Sequence, residues 1–292
     1  MKILYKEIGQ NARTHIYLFG IKIFSLGHRK VKAFHNPKLG ISYSVWDGEE
    51  LLEQSIRQIR PVADYINVVW QRVSWHGNMC NTDLENTLIK LKSMGLIDEL
   101  IFFEPDLKLN PTQNEQNKRN LGLRAAQNVG CTHFMTMNTD EFYETDVFRA
   151  AYQNIIERNL SHTVCNIVCY LTPTIRYRDY ATFFVPFIHR IDANQKITFD
   201  AFYDEIPCLC DPTRKIKLKH NSRFCFLGEI VMHHMKHVRK DIRKKLENSS
   251  ANQSQKQNEE LTNLYILNDQ QISDGINSGK YIRVPNQFNI EV

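Results

Sequence analysis

The chain has 292 residues, 42% of them hydrophobic, and its 37 Lys and Arg residues exceed its 32 Asp and Glu residues to give a formal net charge of +5. This length is sufficient for a substantial core in one large α/β domain with a smaller extension. No run of 18 apolar residues occurs, which argues against a membrane-spanning helix. Seven cysteines, an odd number without a CxxC pair, favour reduced thiols over a disulfide framework or a zinc site.

The first 40 residues are predicted to form an N-terminal extension. Apolar and aromatic residues between basic flanks at 16–32 have two interpretations, a hairpin packed on the core or a segment lying on an anionic membrane surface. The stretch does not resemble a cleavable signal sequence, because Gly20 and Lys22 interrupt it. We therefore expect a cytoplasmic protein, with peripheral contact to the inner face of the cytoplasmic membrane under the second interpretation.

An alternation of strands and helices follows the extension. The pattern predicts strands at 41–46, 65–71 and 99–103, and helices at 47–60 and 82–95. Asp47 with Glu50, and Thr82 with Glu85, have the spacing of capping boxes at the two helix starts. This β-α-β-α-β order predicts a mainly parallel sheet flanked by helices, with right-handed crossovers.

Two adjacent cations mark the next predicted helix, at 117–129. Apolar residues recur every four positions along one face of this segment. Lys118 and Arg119 would then lie in its first turn, where the helix dipole favours acidic residues instead. Their position predicts that they bind an anion such as phosphate.

A short apolar strand is predicted at 132–137, and an acidic turn that includes Asn138, Asp140 and Glu141 follows it. Ligands of open α/β sheets collect at the carboxyl ends of strands. Mg²⁺ and similar cations are held by carboxylate, water and phosphate oxygens, often with only one or two protein carboxylates. Asp140 is therefore a candidate metal ligand, and the alternative is a simple polar turn.

The second half of the chain is less regular. The pattern predicts strands at 163–169, 182–190 and 196–199, with many aromatic residues between 170 and 202. His233 and His234 follow an apolar segment, so that one of them should face inward at the end of a strand. A polar loop is predicted at 248–260, then a short helix at 261–268 and an extended segment at 281–288.

Five segments carry a resemblance to a known family: ISYSVWDGEE at 41–50, the strand at 65–71, KRNLGLRAAQNVG at 118–130, NTDEFY at 138–143 and GEIVMHHMKHVRKDIRKKLENS at 228–249. Their order over residues 40–250 resembles that of GT-A type, family 2-like glycosyltransferases of bacteria, which build lipopolysaccharide or other surface glycans from nucleotide-activated sugars. The turn departs from the family's usual Asp-x-Asp, because Asn138 replaces the first Asp.

The resemblance implies a set of site residues. A nucleotide sugar would be bound by Trp46, Asp47, Lys118, Arg119, Asn138 and Arg239, Mn²⁺ or Mg²⁺ by Asp140 and His234, and the acceptor hydroxyl would be deprotonated by Glu205 or else by Asp204. Several of these side chains also have plain structural interpretations. Asp47 can be a helix cap, the two acceptor-side carboxylates can be solvated loop residues, and a core histidine is the preferred interpretation of His233.

The expected protein is thus a hexosyltransferase-like, metal-dependent enzyme with an N-terminal extension at 1–40, a GT-A domain at 41–247 and a C-terminal extension at 248–292. Its expected partners are a nucleotide-diphosphate sugar and a glycan or lipid-linked acceptor, with no nucleic acid. Two alternatives belong to other classes. A sugar nucleotidyltransferase is disfavoured by the single glycine after the first strand. A non-catalytic glycan or nucleic-acid binding protein would account for the clusters of Lys and Arg at 22–38, 214–219 and 236–245.

Overall fold

The computed structural model describes residues 36–199, 209–217, 222–249 and 267–292, together with the backbone of three strands nearer the N-terminus. Those three strands form a separate antiparallel sheet: β1 (Leu4–Ile8), β2 (Arg13–Leu18) and β3 (Ile21–Gly27). The pairing of β2 with β3 gives this segment the backbone of a hairpin. No helix in the described ranges is long and apolar enough to cross a membrane.

The centre of the fold is a parallel four-stranded unit in the order β7-β4-β5-β6. Its strands are β4 (Leu39–Val45), β5 (Tyr65–Trp70), β6 (Glu99–Phe102) and β7 (His133–Asn138). The helices between them are α1 (Glu49–Ile59), α2 (Leu84–Ser93) and α3 (Pro111–Asn128). The predicted α/β class, with a parallel sheet flanked by helices, is confirmed.

Antiparallel pairs extend the sheet beyond β7, in the order β7-β11-β9-β10-β13. The remaining elements are β8 (Glu141–Phe142), α4 (Thr145–Glu157), β9 (His162–Thr172), β10 (Ile175–Tyr177), β11 (Val185–Arg190), β12 (Phe224–His234), α5 (Ile242–Glu247), α6 (Asp269–Asn277) and β13 (Tyr281–Arg283). Strand β12 runs parallel to β9 and pairs antiparallel with the short β8. This pairing carries the end of β12 to the turn after β7.

Helices cover both faces of the parallel unit. The larger core joins α1, α2 and α4 to one face of the sheet, where the side chains of Ile41 and Tyr43 of β4 are fully buried. On the opposite face α3 packs against β4, β5 and β7. The approach of α3 is close at Gly122, where an added Cβ would lie 1.8 Å from Ser42 Oγ. Two packed faces explain the near-continuous burial of β4 and β5.

The two predicted capping boxes are wrong. Helix α1 begins at Glu49 after Gly48, which is in the left-handed region with φ 77°, and no side chain caps it. The N-cap of α2 is Asp83 rather than Thr82, again without a side-chain hydrogen bond. Asp47 is therefore free of the capping role that competed with a binding role.

The predicted start of the third helix is also wrong. Helix α3 begins at Pro111, because Asn110 and Gln113 form a reciprocal capping box and proline suits the first helical position. Lys118 and Arg119 consequently lie within the helix rather than in its first turn. Their positive charges are therefore not at the N-terminus of the helix and do not oppose its dipole there.

One later prediction, the strand at 196–199, is wrong. Residues 196–199 form no strand and make a single bridge between Ile197 and Ile216. The predicted helix at 261–268 falls mainly outside the described residues, and α6 begins after it, with Asn268 as its N-cap.

Candidate functional site

A cleft of about 320 Å³ opens where the strand order changes direction. From β4 the chain proceeds through β5 and β6 on one side, whereas β7 lies on the other side of β4. Ligands of open α/β sheets bind at such a switch point, outside the carboxyl ends of the strands. The end of β4 supplies Trp46 and Asp47 to this cleft, and the end of β7 supplies Asn138 and Asp140.

The cleft brings together most of the residues predicted for a nucleotide-sugar site. Its lining includes Trp46, Asp47, Lys118, Asn138, Asp140, His234 and Arg239. Of the predicted donor-side residues, Arg119 does not line it. Asp204 and Glu205, the predicted base, lie outside the described residues.

Asp140 is the centre of the cleft's charge. Its side chain is 3% exposed, and Oδ2 lies 2.6 Å from Lys245 Nζ and 3.0 Å from Arg239 Nη2. His234 Nε2 lies 3.4 Å from the same oxygen. With the imidazole protonated, three positive groups surround this one carboxylate, while Asp47, Glu49 and Glu50 also act electrostatically on Arg239.

The pKa values in this cluster follow from its charges. Burial would raise the pKa of Asp140, but Lys245, Arg239 and His234 outweigh it and hold the pKa well below its usual range. Burial would lower the pKa of His234, whereas Asp140 and its hydrogen bond raise it to about 9. His234 is therefore an imidazolium at neutral pH, and three positively charged side chains contact Asp140.

Arg239 is fixed in the cleft by contacts from two strand ends. Its guanidinium is 4% exposed, and Nη1 donates to Thr139 Oγ1 at 3.1 Å while Nη2 contacts Asp140. Gly48 leaves room for it, since an added Cβ there would lie 1.4 Å from Nη1. The turn after β4 therefore needs glycine both for its positive φ and for this approach.

Two buried donors in the cleft have no hydrogen-bond acceptor among the described residues. They are the indole Nε1 of Trp46 and the Nε of Arg239. A buried donor without an acceptor costs about 1–3 kcal/mol. Both residues line the cleft, so a ligand with acceptor oxygens would satisfy them.

Lys118 and Arg119 of α3 donate hydrogen bonds to residues at the carboxyl ends of β4 and β7. Lys118 is 1% exposed, and its Nζ donates to the carbonyl of Val45 at 2.8 Å. Arg119 donates to Glu115 and to Thr136, and its Nη2 is 3.3 Å from Asn138 Oδ1. Arg119 thus positions Asn138 from within the protein. The contact predicted between Arg119 and phosphate stays a prediction, and the burial of Arg119 does not favour it.

His233 points away from His234 and lines a smaller cleft of about 160 Å³. Tyr170 Oη is 2.9 Å from its Nδ1, and Glu144 is 3.6 Å from its Nε2. Burial lowers the pKa of His233 to about 4, so its ring is neutral at pH 7. Of the two adjacent histidines of β12, His234 is therefore charged at pH 7 and His233 is neutral.

The residues around Asp140 do not fit the divalent cation that the resemblance implies. No group of three or more His, Cys, Asp and Glu side chains in the described ranges is arranged to hold a metal ion. The Lys245 ammonium contacts the one cleft carboxylate at this turn, with Nζ 2.6 Å from Asp140 Oδ2. Asn138 offers an amide oxygen, which already accepts from Arg119.

Sequence patterns missed Lys245, the cation nearest to Asp140. It lies on α5, whose N-cap Asp241 accepts from the backbone N of Lys244 at 2.9 Å. The basic run at 236–245 is visible in the sequence, but nothing local indicates which of its members turns inward. The contact joins positions that are 105 residues apart.

No family model matches the sequence, and no curated protein matches it. Among solved structures, residues 1–349 of TarS from S. aureus in complex with UDP-GlcNAc are 15% identical with a TM-score of 0.31, over 46% of this chain and 35% of that one. Glucosyl-3-phosphoglycerate synthase from Mycobacterium tuberculosis, in complex with Mn²⁺, UDP and phosphoglyceric acid, is 8% identical with a TM-score of 0.30, over 46% and 43%. The chain spans less than half the length of either match. At these values the function of the cleft rests on its own residues.

Proposed function

We propose that this chain is a GT-A type glycosyltransferase, which transfers a sugar from a nucleoside diphosphate sugar to a glycan or lipid-linked acceptor of a bacterial surface polymer. The observation that carries the proposal is that Lys245, Arg239 and His234 converge on Asp140 at the switch point of the sheet. The resemblance of five segments to that family, including NTDEFY, points to the same substrate class.

The cleft suits the diphosphate of such a donor. Arg239 presents a planar fork that can bind two phosphate oxygens, and Lys245 and His234 add two further donors beside it. Hydrogen bonds to charged groups contribute about 1.5–3 kcal/mol each. Trp46 lies at the end of β4 with its ring in the cleft, where it can contact the base or the sugar.

These cations also suit the chemistry of transfer. When the bond between the anomeric carbon and the phosphate oxygen breaks, negative charge develops on the departing diphosphate. Fixed positive groups at that position stabilise the transition state more than the ground state. Glu205, or else Asp204, remains the proposed base for the acceptor hydroxyl.

The first test is thermal stabilisation by uridine, guanosine, cytidine and thymidine diphosphates and their sugars, each with and without Mn²⁺. A ligand present at 100 times its dissociation constant stabilises the native state by about 2.7 kcal/mol. We expect one nucleotide to raise the melting temperature, and Arg239→Ala to reduce that shift. Lys240→Ala is the control, because Lys240 is exposed and does not line the cleft.

The outcomes separate the function classes. Binding of one nucleotide sugar with release of its sugar to an acceptor supports a transferase. Binding without any transfer or donor hydrolysis indicates a binding protein, and formation of a nucleotide sugar from a sugar phosphate and a nucleoside triphosphate indicates a nucleotidyltransferase. No stabilisation by any member of the panel would overturn the proposal.

A further inference from the structure

Lys245 occupies the position at Asp140 where the resemblance implies a metal ion. Its Nζ donates to Asp140 Oδ2 at 2.6 Å and to the backbone carbonyl of Lys236 at 2.8 Å. An ammonium has three donors, so these two contacts within the described residues leave one for a ligand. The side chain is 22% exposed, which keeps it accessible from the cleft.

The position of Lys245 is determined by the fold. The last residue of β12, His234, pairs with Glu141 of β8, and the backbone N of Met235 donates to the carbonyl of Asp140 at 2.7 Å. The chain then turns into α5, with Asp241 as its N-cap. Lys245 is thereby brought back to Asp140 by a strand pair, a turn and a capped helix.

The other cations of the cluster are equally well fixed. Arg239 lies over Gly48 and donates to Thr139, and His234 is the terminal residue of β12. A divalent ion bound to Asp140 would have to displace the ammonium and remain beside the Arg239 guanidinium, which lies 3.0 Å from the same oxygen. The turn offers it no second carboxylate, because Asn138 replaces the first Asp and Glu141 is paired with Arg214.

We propose that Lys245 and Arg239, with the His234 side chain beside them, bind the donor diphosphate in place of a divalent cation, so that donor binding and transfer by this chain need no metal. Asp140 is then a positioning residue that holds these three basic side chains together. The inference rests on the proposed function and concerns the same cleft.

The step balances without a further reactant. The bond from the anomeric carbon to the phosphate oxygen breaks, and its electron pair stays on that oxygen as the nucleoside diphosphate leaves. The acceptor oxygen forms the new bond to the anomeric carbon, and its proton passes to the base, for which Glu205 is the candidate. The extra negative charge of the leaving group lies against the three cations.

The test measures the dissociation constant of the nucleotide found by the stabilisation panel, by calorimetry, in EDTA and in Mn²⁺ or Mg²⁺. We expect the wild-type constants in the two buffers to agree within about threefold. Lys245→Met keeps the length of the side chain and removes its charge, and it should weaken binding in EDTA by about tenfold or more, which is about 1.4 kcal/mol. Lys240→Ala is the matched control and should bind as wild type does.

Asp140→Asn sharpens the test, because it retains the shape of the side chain without its charge. A positioning role predicts binding in EDTA within about tenfold of wild type, since the cations remain. A metal-ligand role predicts that binding needs Mn²⁺ or Mg²⁺ in wild type and is lost in Asp140→Asn.

The two proposals fail in different ways. Wild-type binding that appears only with a divalent cation would overturn the metal-free inference and leave the glycosyltransferase proposal standing. Binding in EDTA that Lys245→Met does not weaken would overturn the role of Lys245, provided that circular dichroism shows the variant folded. No binding in either buffer would overturn the proposed function and the inference with it.

Discussion

Asp140 and Glu141 are neighbours in the chain, yet their carboxylates belong to two different kinds of ion cluster. Glu141 is 1% exposed and forms a two-pronged pair with Arg214, whose Nε also lies 3.0 Å from Asp211. Two carboxylates surround one cation there. Around Asp140 three cations surround one carboxylate.

The difference separates a structural cluster from a binding cluster. Both side chains of the Glu141–Arg214 pair are buried. The second carboxylate, Asp211, leaves this cluster without an excess of positive charge. The Asp140 cluster lines a cleft, and its Lys245 and His234 side chains are partly exposed there. Disrupting the first should therefore reduce stability, and disrupting the second should mainly reduce ligand affinity.

The largest expected effect is on Arg214. Arg214→Met leaves the buried carboxylate of Glu141, and the partly buried one of Asp211, without their cation, and breaking a buried pair in this way costs about 3–5 kcal/mol. Urea unfolding followed by circular dichroism measures the loss. Arg243→Ala, on the exposed side of α5, is the control and should stay within about 0.5 kcal/mol of wild type. A loss below about 1 kcal/mol for Arg214→Met would show that the pair is dispensable.

Gly48→Ala should affect both stability and affinity. A non-glycine residue at a φ of 77° is strained by about 1–3 kcal/mol, and the new Cβ would displace the Arg239 guanidinium. We expect nucleotide affinity to fall by about tenfold, measured by calorimetry. The double variant Gly48→Ala with Arg239→Ala should bind little worse than Arg239→Ala alone, because both changes remove the same contact, that of the Arg239 guanidinium with the nucleotide. Fully additive losses would contradict this link.

The adjacent histidines of β12 extend the comparison to pH. The pKa of His234 is raised to about 9, so its contribution to stability is complete below about pH 6.5 and is lost as pH rises through about 9. The pKa of His233 is lowered to about 4, so its contribution is present above about pH 6.5 and is lost as pH falls toward 4. In urea unfolding between pH 6 and 9.5, His234→Gln should lose less stability than wild type as pH rises. His233→Gln should keep the wild-type slope over that range, and equal slopes for all three proteins would contradict the assignment.

The parallel unit could be predicted from sequence because its signals are local. Apolar strands at β4, β5 and β7 alternate with helices, and the polar turn at Asp140 follows directly from the end of β7. The rule that ligands lie at carboxyl ends of strands then placed Asp140 in a cleft. These inferences needed only neighbours in the chain.

The cluster around Asp140 could not be predicted in the same way. Lys245 is 105 residues from Asp140, and their contact depends on the pairing of β12 with β8 and β9. Glu141 is as acidic as Asp140 and turns inward to Arg214, which no local pattern distinguishes. The capping box of α3 was overlooked because the helix begins in a polar stretch, whereas the apolar periodicity starts several residues later.

The smallest expected effect tests that overlooked start. Asn110 Oδ1 accepts from the backbone N of Gln113 at 2.8 Å, and removing such a cap costs about 1 kcal/mol. Asn110→Ala should therefore lower the free energy of unfolding by about that amount and leave nucleotide affinity within about twofold, because Lys118 is held by the carbonyl of Val45. Asn268→Ala removes the equivalent cap from α6 and is the matched control, because neither Asn268 nor α6 lines the cleft. A tenfold loss of affinity in Asn110→Ala alone, at unchanged stability, would mean that the loop before α3 contacts the donor directly, so that the binding region extends beyond the cationic cluster.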